Sequence, residues 1–171
     1  MKKIITLLLT LSLVSTTFSG CSRTPPSVEE FQALLTDEYE TIEIIVTFLF
    51  NCGYGSALIW DARGTFSSYG RDIQITDELV LSAIEKLSEK TSFIGISILD
   101  GTLIKFQLWN FGTDKGSGIA YAVDYNALEH LGYVTEIVPL SQDNWFYYVT
   151  DLNKWRANRR NDASTSTTST D

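Results

Sequence analysis

The dipeptide Asp100-Gly101 constrains the fold more than any other feature of the chain. It separates two β-rich runs. Phe93-Ile94-Gly95-Ile96-Ser97-Ile98 alternates before it, and Leu103 to Trp109 follows. Asp-Gly between such runs marks a two-residue hairpin turn that needs positive φ, so the two strands are antiparallel neighbours. Side chains alternate across a strand, which places Ile104, Phe106 and Leu108 on the core face. Lys105 and Gln107 then point to water or a groove. This hairpin is expected at the structural centre, with Ile94, Ile96 and Ile98 packing beside Ile45 and Leu49 of one helix and Ile84 and Leu87 of another.

Helical periodicity surrounds the hairpin. Ser27-Val28-Glu29-Glu30 is a capping box, in which the serine accepts from the N3 amide and Glu30 reaches back. Val28, Phe31, Leu35, Ile42, Ile45 and Leu49 then recur at near-helical spacing. A break is expected near Thr36-Asp37, with Thr36 as a second N-cap and Gly53 as the stop. Ile42 to Phe50 is apolar nearly all round, which suits the centre of a core; its β-branched residues leave a strand as the weaker reading. Thr76 is the expected cap of another helix, whose stripe is Val80, Ala83, Ile84 and Leu87.

The remaining runs read as strands: Ala57 to Asp61, Thr65 to Tyr69 with Asp72 to Ile75 extending or following it, Ile119 to Val123, Val134 to Val138 and Trp145 to Val149. Gly112 to Gly118 reads as a loop, Asn126 to Leu131 as a short helix or turn, and Asp151 to Arg160 as a terminal helix capped by Thr150 and anchored by Leu152 and Trp155. The expected fold is α+β: a mostly antiparallel sheet of about five to seven strands with helices packed on one face. A single domain spans 27–160, and 161–171 is a Ser/Thr-rich tail expected to be disordered.

The N-terminus carries an address. Lys2 and Lys3 precede an apolar run from Ile4 to Val14, too short and interrupted to span a bilayer. Phe18-Ser19-Gly20-Cys21 closes it. The whole resembles a bacterial lipoprotein signal, although Phe18 stands where leucine is usual. That resemblance implies that residues 1–20 are removed, that the Cys21 thiol receives a diacylglyceryl group, and that the protein is anchored on the extracytoplasmic face of a bacterial membrane. Plain secretion, for which a cut after Ser19 puts Thr17 at −3, and a retained anchor are the other readings. Two acyl chains suffice for stable anchoring. Residues 21–26 form a short tether, and the five after Cys21 reach under about 18 Å.

Charge and composition exclude several function classes. The formal charge of −8 becomes −10 once Lys2 and Lys3 leave with the signal. Nucleic acid needs a basic footprint, so it is excluded as a partner. If Cys21 is lipidated, Cys52 has no disulfide partner, and it is expected to be buried and unpaired. With His130 as the lone histidine and no HExxH or CxxC, no metal or cofactor is called for. Gly112 to Gly118 has its lysine before the second glycine of the triplet and continues as a strand, unlike a phosphate loop.

Two function classes remain. The first is a non-catalytic lipoprotein that binds an envelope protein or a cell-wall glycan. Its candidate surface is aromatic: Trp60, Trp109, Tyr121, Trp145, Tyr147 and Tyr148 can stack on sugars or anchor a partner. The competing reading of the same residues is core plus cross-strand aromatic pairs. The second class is a small extracytoplasmic hydrolase using the strand-end carboxylates Asp61, Asp100 and Asp124, or His130 with Asp124 or Glu129 and a serine, Ser117 or Ser141. Turn formation accounts equally for those aspartates. Finally, Gly118-Ile119-Ala120-Tyr121 followed by Asn144-Trp145-Phe146-Tyr147-Tyr148 is similar to a pattern in uncharacterised small proteins of gram-positive bacteria, a resemblance that implies no activity.

Overall fold

The computed structural model describes residues 25–59, 64–68, 71–93, 95–110, 114–129 and 131–158. The signal, Cys21, Trp60, Asp61, His130 and the tail lie outside the described residues.

Helix α1 (Val28–Asp37) opens with the expected capping box: the Glu30 amide donates to Ser27 Oγ at 3.3 Å and the Ser27 amide donates to Glu30 Oε2 at 2.7 Å. The break before α2 (Tyr39–Asn51) falls at Glu38, two residues beyond Thr36. Thr36 does not cap α2; its hydroxyl donates back to the Gln32 carbonyl inside α1. Gly53, at φ 74, follows the C-cap Cys52 and ends the helix in the left-handed region that favours glycine.

Three short strands, β1 (Ala57–Ile59), β2 (Thr65–Ser68) and β3 (Arg71–Gln74), form an antiparallel meander. Helix α3 (Glu78–Lys90) returns the chain to the other side of β1. Its cap is Asp77, not Thr76: the Asp77 carboxylate accepts from the Leu79 and Val80 amides. Asp77 is favoured because its oxygen reaches two orphan helix amides together. Strands β4 (Gly95–Leu99), β5 (Leu103–Asn110) and β6 (Lys115–Ala122) continue the sheet. Then come the short helix α4 (Asn126–Glu129) and the hairpin β7 (Val134–Pro139) and β8 (Trp145–Asp151). A helical segment over 152–158 follows, capped by the Asp151 carboxylate on the Lys154 amide rather than by Thr150, whose hydroxyl donates to the Gly116 carbonyl.

The eight strands run in the order β3-β2-β1-β4-β5-β6-β8-β7, every neighbouring pair antiparallel. The fold is α+β as expected. The strand beyond the expected range arises because Arg71–Gln74 pairs with β2 as a strand in its own right instead of extending it. At the centre, Asp100 (φ 50) and Gly101 (φ 65) turn β4 into β5, with the Thr102 amide donating to the Leu99 carbonyl. Leu99 faces Leu103, so three residues separate the paired positions instead of two.

Helices α1, α2 and α3 cover one face of the sheet. Leu35, Ile42, Ile45, Leu49, Ile84 and Leu87 meet Ile96, Ile98, Ile104, Phe106 and Ile119 there, all buried. Burying each such side chain contributes about 1.5–3 kcal/mol. Gln32 ties α1 to the β7–β8 loop, accepting from the Ser141 amide at 2.7 Å and donating to Gln142 Oε1 at 2.9 Å.

The other face is covered only in part. The expectation that helices share one face holds for the three long ones, whereas α4 packs on the opposite side. Leu128 joins Leu103, Ala120, Ala122 and Tyr148 in a second, smaller cluster. Gly116 and Gly118 are strand residues, not loop residues. A Cβ on Gly116 would collide with Gln107 Nε2, and one on Gly118 with the Phe106 carbonyl, so close approach of β5 and β6 requires glycine at both.

Candidate functional site

The expected aromatic surface lies in the core. Trp109, Trp145 and Tyr147 are buried on the helical face, Tyr148 is fully buried on the other, and Tyr121 is half-buried. They pair as core aromatics: Trp145 lies 5.4 Å from Tyr121 and 5.9 Å from Phe106, and Tyr147 lies 5.4 Å from Phe31. The correction has a simple cause. In Trp145-Phe146-Tyr147-Tyr148 both strand faces carry packed elements, so alternation leaves neither face to solvent. None of the described tryptophans is exposed.

The two described strand-end carboxylates serve turns. Asp100 is exposed at the β4–β5 turn, and Asp124 accepts from the Asn126 amide at 3.0 Å, opening α4. Among the described residues no cluster of three or more His, Cys, Asp or Glu side chains fits a metal ion. Cys52 is free as expected, but half-buried rather than buried, because it sits at the end of α2; its thiol donates to the Leu49 carbonyl at 2.9 Å.

A concavity does exist, at a place the sequence does not announce. A half-open groove of about 800 Å³ lies between α1, the end of α3 and the end of β5. Phe31, Leu34, Leu108 and Trp109 supply its apolar wall. Glu30, Asp37, Glu38 and Glu89 stand around it with one ammonium, Lys90, and Pro26 lies at its edge.

Glu38 is the groove's structural key. The chain bends there between α1 and α2, which carries its carboxylate inward until the residue is 2 % exposed. Lys86 reaches it at 2.9 Å, Lys90 pairs with the other oxygen, and Thr41 Oγ1 donates at 3.1 Å. Burial alone would raise the Glu38 pKa, but the hydrogen bonds from Lys90, Lys86 and Thr41 outweigh it and hold the carboxyl below its ordinary range. The bond to Glu38 conversely raises Lys90. Lys90, itself exposed, is therefore committed to Glu38, and Glu30, Asp37 and Glu89 are the exposed carboxylates of the rim among the described residues. This combination suits a cationic, partly apolar group. Only the acid-rich first helices hint at it in the sequence.

A second polar cluster occupies the opposite face of the sheet. Lys105, expected to meet water or a groove, is buried there. Its Nζ donates to Tyr133 Oη at 2.7 Å and lies 4.8 Å from the centre of the Tyr133 ring and 5.9 Å from that of Tyr148. Tyr148 Oη donates to Gln107 Oε1 at 3.2 Å. The segment after α4 folds Tyr133 over this patch, a long-range packing that strand alternation does not reveal. No known family matches the chain, and neither the curated proteins nor the solved structures contain a match to it.

Proposed function

We propose that the chain is a lipoprotein anchored through Cys21 on the extracytoplasmic face of a bacterial membrane. There it acts as a non-catalytic interaction module. Its groove between α1, α3 and β5 receives a cationic, partly apolar segment of an envelope protein. The observation that carries this reading is the groove itself: among the described residues, an apolar wall ringed by three exposed carboxylates, with its one lysine already bound to Glu38. Its position supports the reading further. Pro26 lies at its edge, and the five residues from Ser22 to Pro26 reach under about 18 Å. A groove tied that closely to the bilayer meets envelope proteins rather than free solutes. The buried tryptophans remove the support for glycan stacking among the described residues.

Two experiments test the proposal. Growth with radioactive palmitate should label the wild-type protein and not Cys21→Ala; equal label in both refutes the anchor. A photo-crosslinking amino acid at Ala33, exposed on the groove, should trap a discrete adduct in intact cells, whereas one at Leu79, exposed on α3, should not. Identical adducts from both positions, or none from Ala33, count against the groove.

A further inference from the structure

The chain after residue 20 holds five lysines, and four differ from the fifth. Lys86 and Lys90 pair with Glu38, Lys115 pairs with Asp151 at 3.2 Å, and Lys154 is exposed. Lys105 is buried, and among the described residues no carboxylate pairs with it. Among the described residues the titratable groups facing it are two tyrosine rings, Tyr133 from the segment after α4 and Tyr148 from β8. Its other neighbours follow from strand register. Lys105 lies between Ser97 of β4 and Ala120 of β6, and Leu58 of β1 stands beyond Ser97. Tyr133 covers the amine on the α4 side. Toward β1 the face opens, with Ser97 half-buried and Leu58 39 % exposed.

We propose that Lys105 is a carbonyl-capturing residue: its amine, held under Tyr133 and approached across Ser97, condenses with a small neutral aldehyde to form an imine. The ligand class follows from the surroundings. An amine without a counter-charge is a nucleophile when neutral, and burial pushes the Lys105 pKa down to about 8. Only 9 % of the residue is exposed, so any group that reaches the amine must be small. The chain's charge of −8 disfavours anionic carbonyl compounds.

The step balances without a further reactant. The Nζ lone pair attacks the carbonyl carbon, a C–N bond forms, and the C=O π pair moves to oxygen. That oxygen takes the proton of Tyr133 Oη, which recovers one from Nζ. The C–O bond of the resulting carbinolamine then breaks, the oxygen leaving as water with a second proton relayed through Tyr133, and nitrogen closes the C=N bond. One water is released for each imine formed. Tyr133, 2.7 Å from Nζ, is within reach for both transfers.

The test uses the full-length protein in detergent with propanal and cyanoborohydride at pH 7, which converts an imine to a stable secondary amine that peptide mass mapping locates. Lys105 should alkylate at least tenfold faster than Lys154, and the preference should vanish in urea. Tyr133→Phe should slow Lys105 alkylation at least fivefold without changing the rate at Lys154. Alkylation of Lys105 no faster than of Lys154 overturns the proposal. Alkylation unaffected by Tyr133→Phe overturns the role of the tyrosine.

Discussion

An ammonium buried against rings and a hydroxyl, with no carboxylate beside it among the described residues, gives up hydration that its partners do not fully return, and Lys105 carries that cost. Its pKa falls from 10.5 to about 8. Between those values the unfolded chain binds more protons than the folded one, so stability rises with pH from about 8 to 10.5 and the penalty is fully present below 8. At about 1.4 kcal/mol per pKa unit, the penalty is on the order of 3 kcal/mol. Lys105→Met should therefore stabilise the protein at pH 7 by about 1–3 kcal/mol and remove that rise. Urea unfolding across this pH range measures both; a loss of stability at pH 7 would show that the ammonium is well satisfied. Glu38 has the opposite sign. Its folded pKa is depressed, so its contribution is present above the ordinary value of 4.5 and is lost as pH falls through the folded pKa. Glu38→Gln should cost about 1–2 kcal/mol at pH 7, since Lys86 and Lys90 are half exposed and return to water, and should flatten the acid limb of the stability curve.

At the scale of elements, the β5–β6 contact is the tightest test of packing. Gly118→Ala forces a methyl into the Phe106 carbonyl and should destabilise by about 1–3 kcal/mol, while Gly53→Ala meets no neighbour and pays only for its positive φ. Phe106→Ala empties a fully buried site beside Trp145 and should cost about 3–5 kcal/mol. Thermal or urea denaturation of each variant reads these effects. The legible elements are those with local signals: the Ser27 capping box and the α3 stripe form as their residues dictate, and Asp100-Gly101 turns the chain at positive φ with one more residue in the loop than expected. Where two adjacent residues compete to cap, as Thr76 with Asp77 or Thr150 with Asp151, local pattern does not choose between them, and the carboxylate takes the role in both. Gly116 and Gly118 look like loop residues until β5 is laid beside them. The groove and the Lys105 patch were illegible for the same reason. Each is made by elements far apart in the chain, α1 with β5 and β5 with Tyr133, and periodicity within one element carries no record of its partner.

Taken whole, the molecule is an asymmetric sheet: one face sealed by three helices, the other partly open, and an acidic apolar groove bordered by Pro26. No helix among the described residues is long and apolar enough to cross a membrane; the proposed attachment is through Cys21. The account stands or falls on the groove's preference for cationic apolar segments. The direct measurement is calorimetric titration of the full-length protein in neutral detergent with a peptide of alternating lysine and leucine, and with its glutamate-leucine counterpart. The lysine peptide should bind at least tenfold more tightly and weaken as salt is raised. Charge reversal at the rim, Asp37→Lys with Glu89→Lys, should reduce that affinity at least tenfold, whereas Glu136→Lys on the edge strand β7 should not. Equal affinity for the two peptides, or an affinity that survives reversal at the rim, would contradict the account.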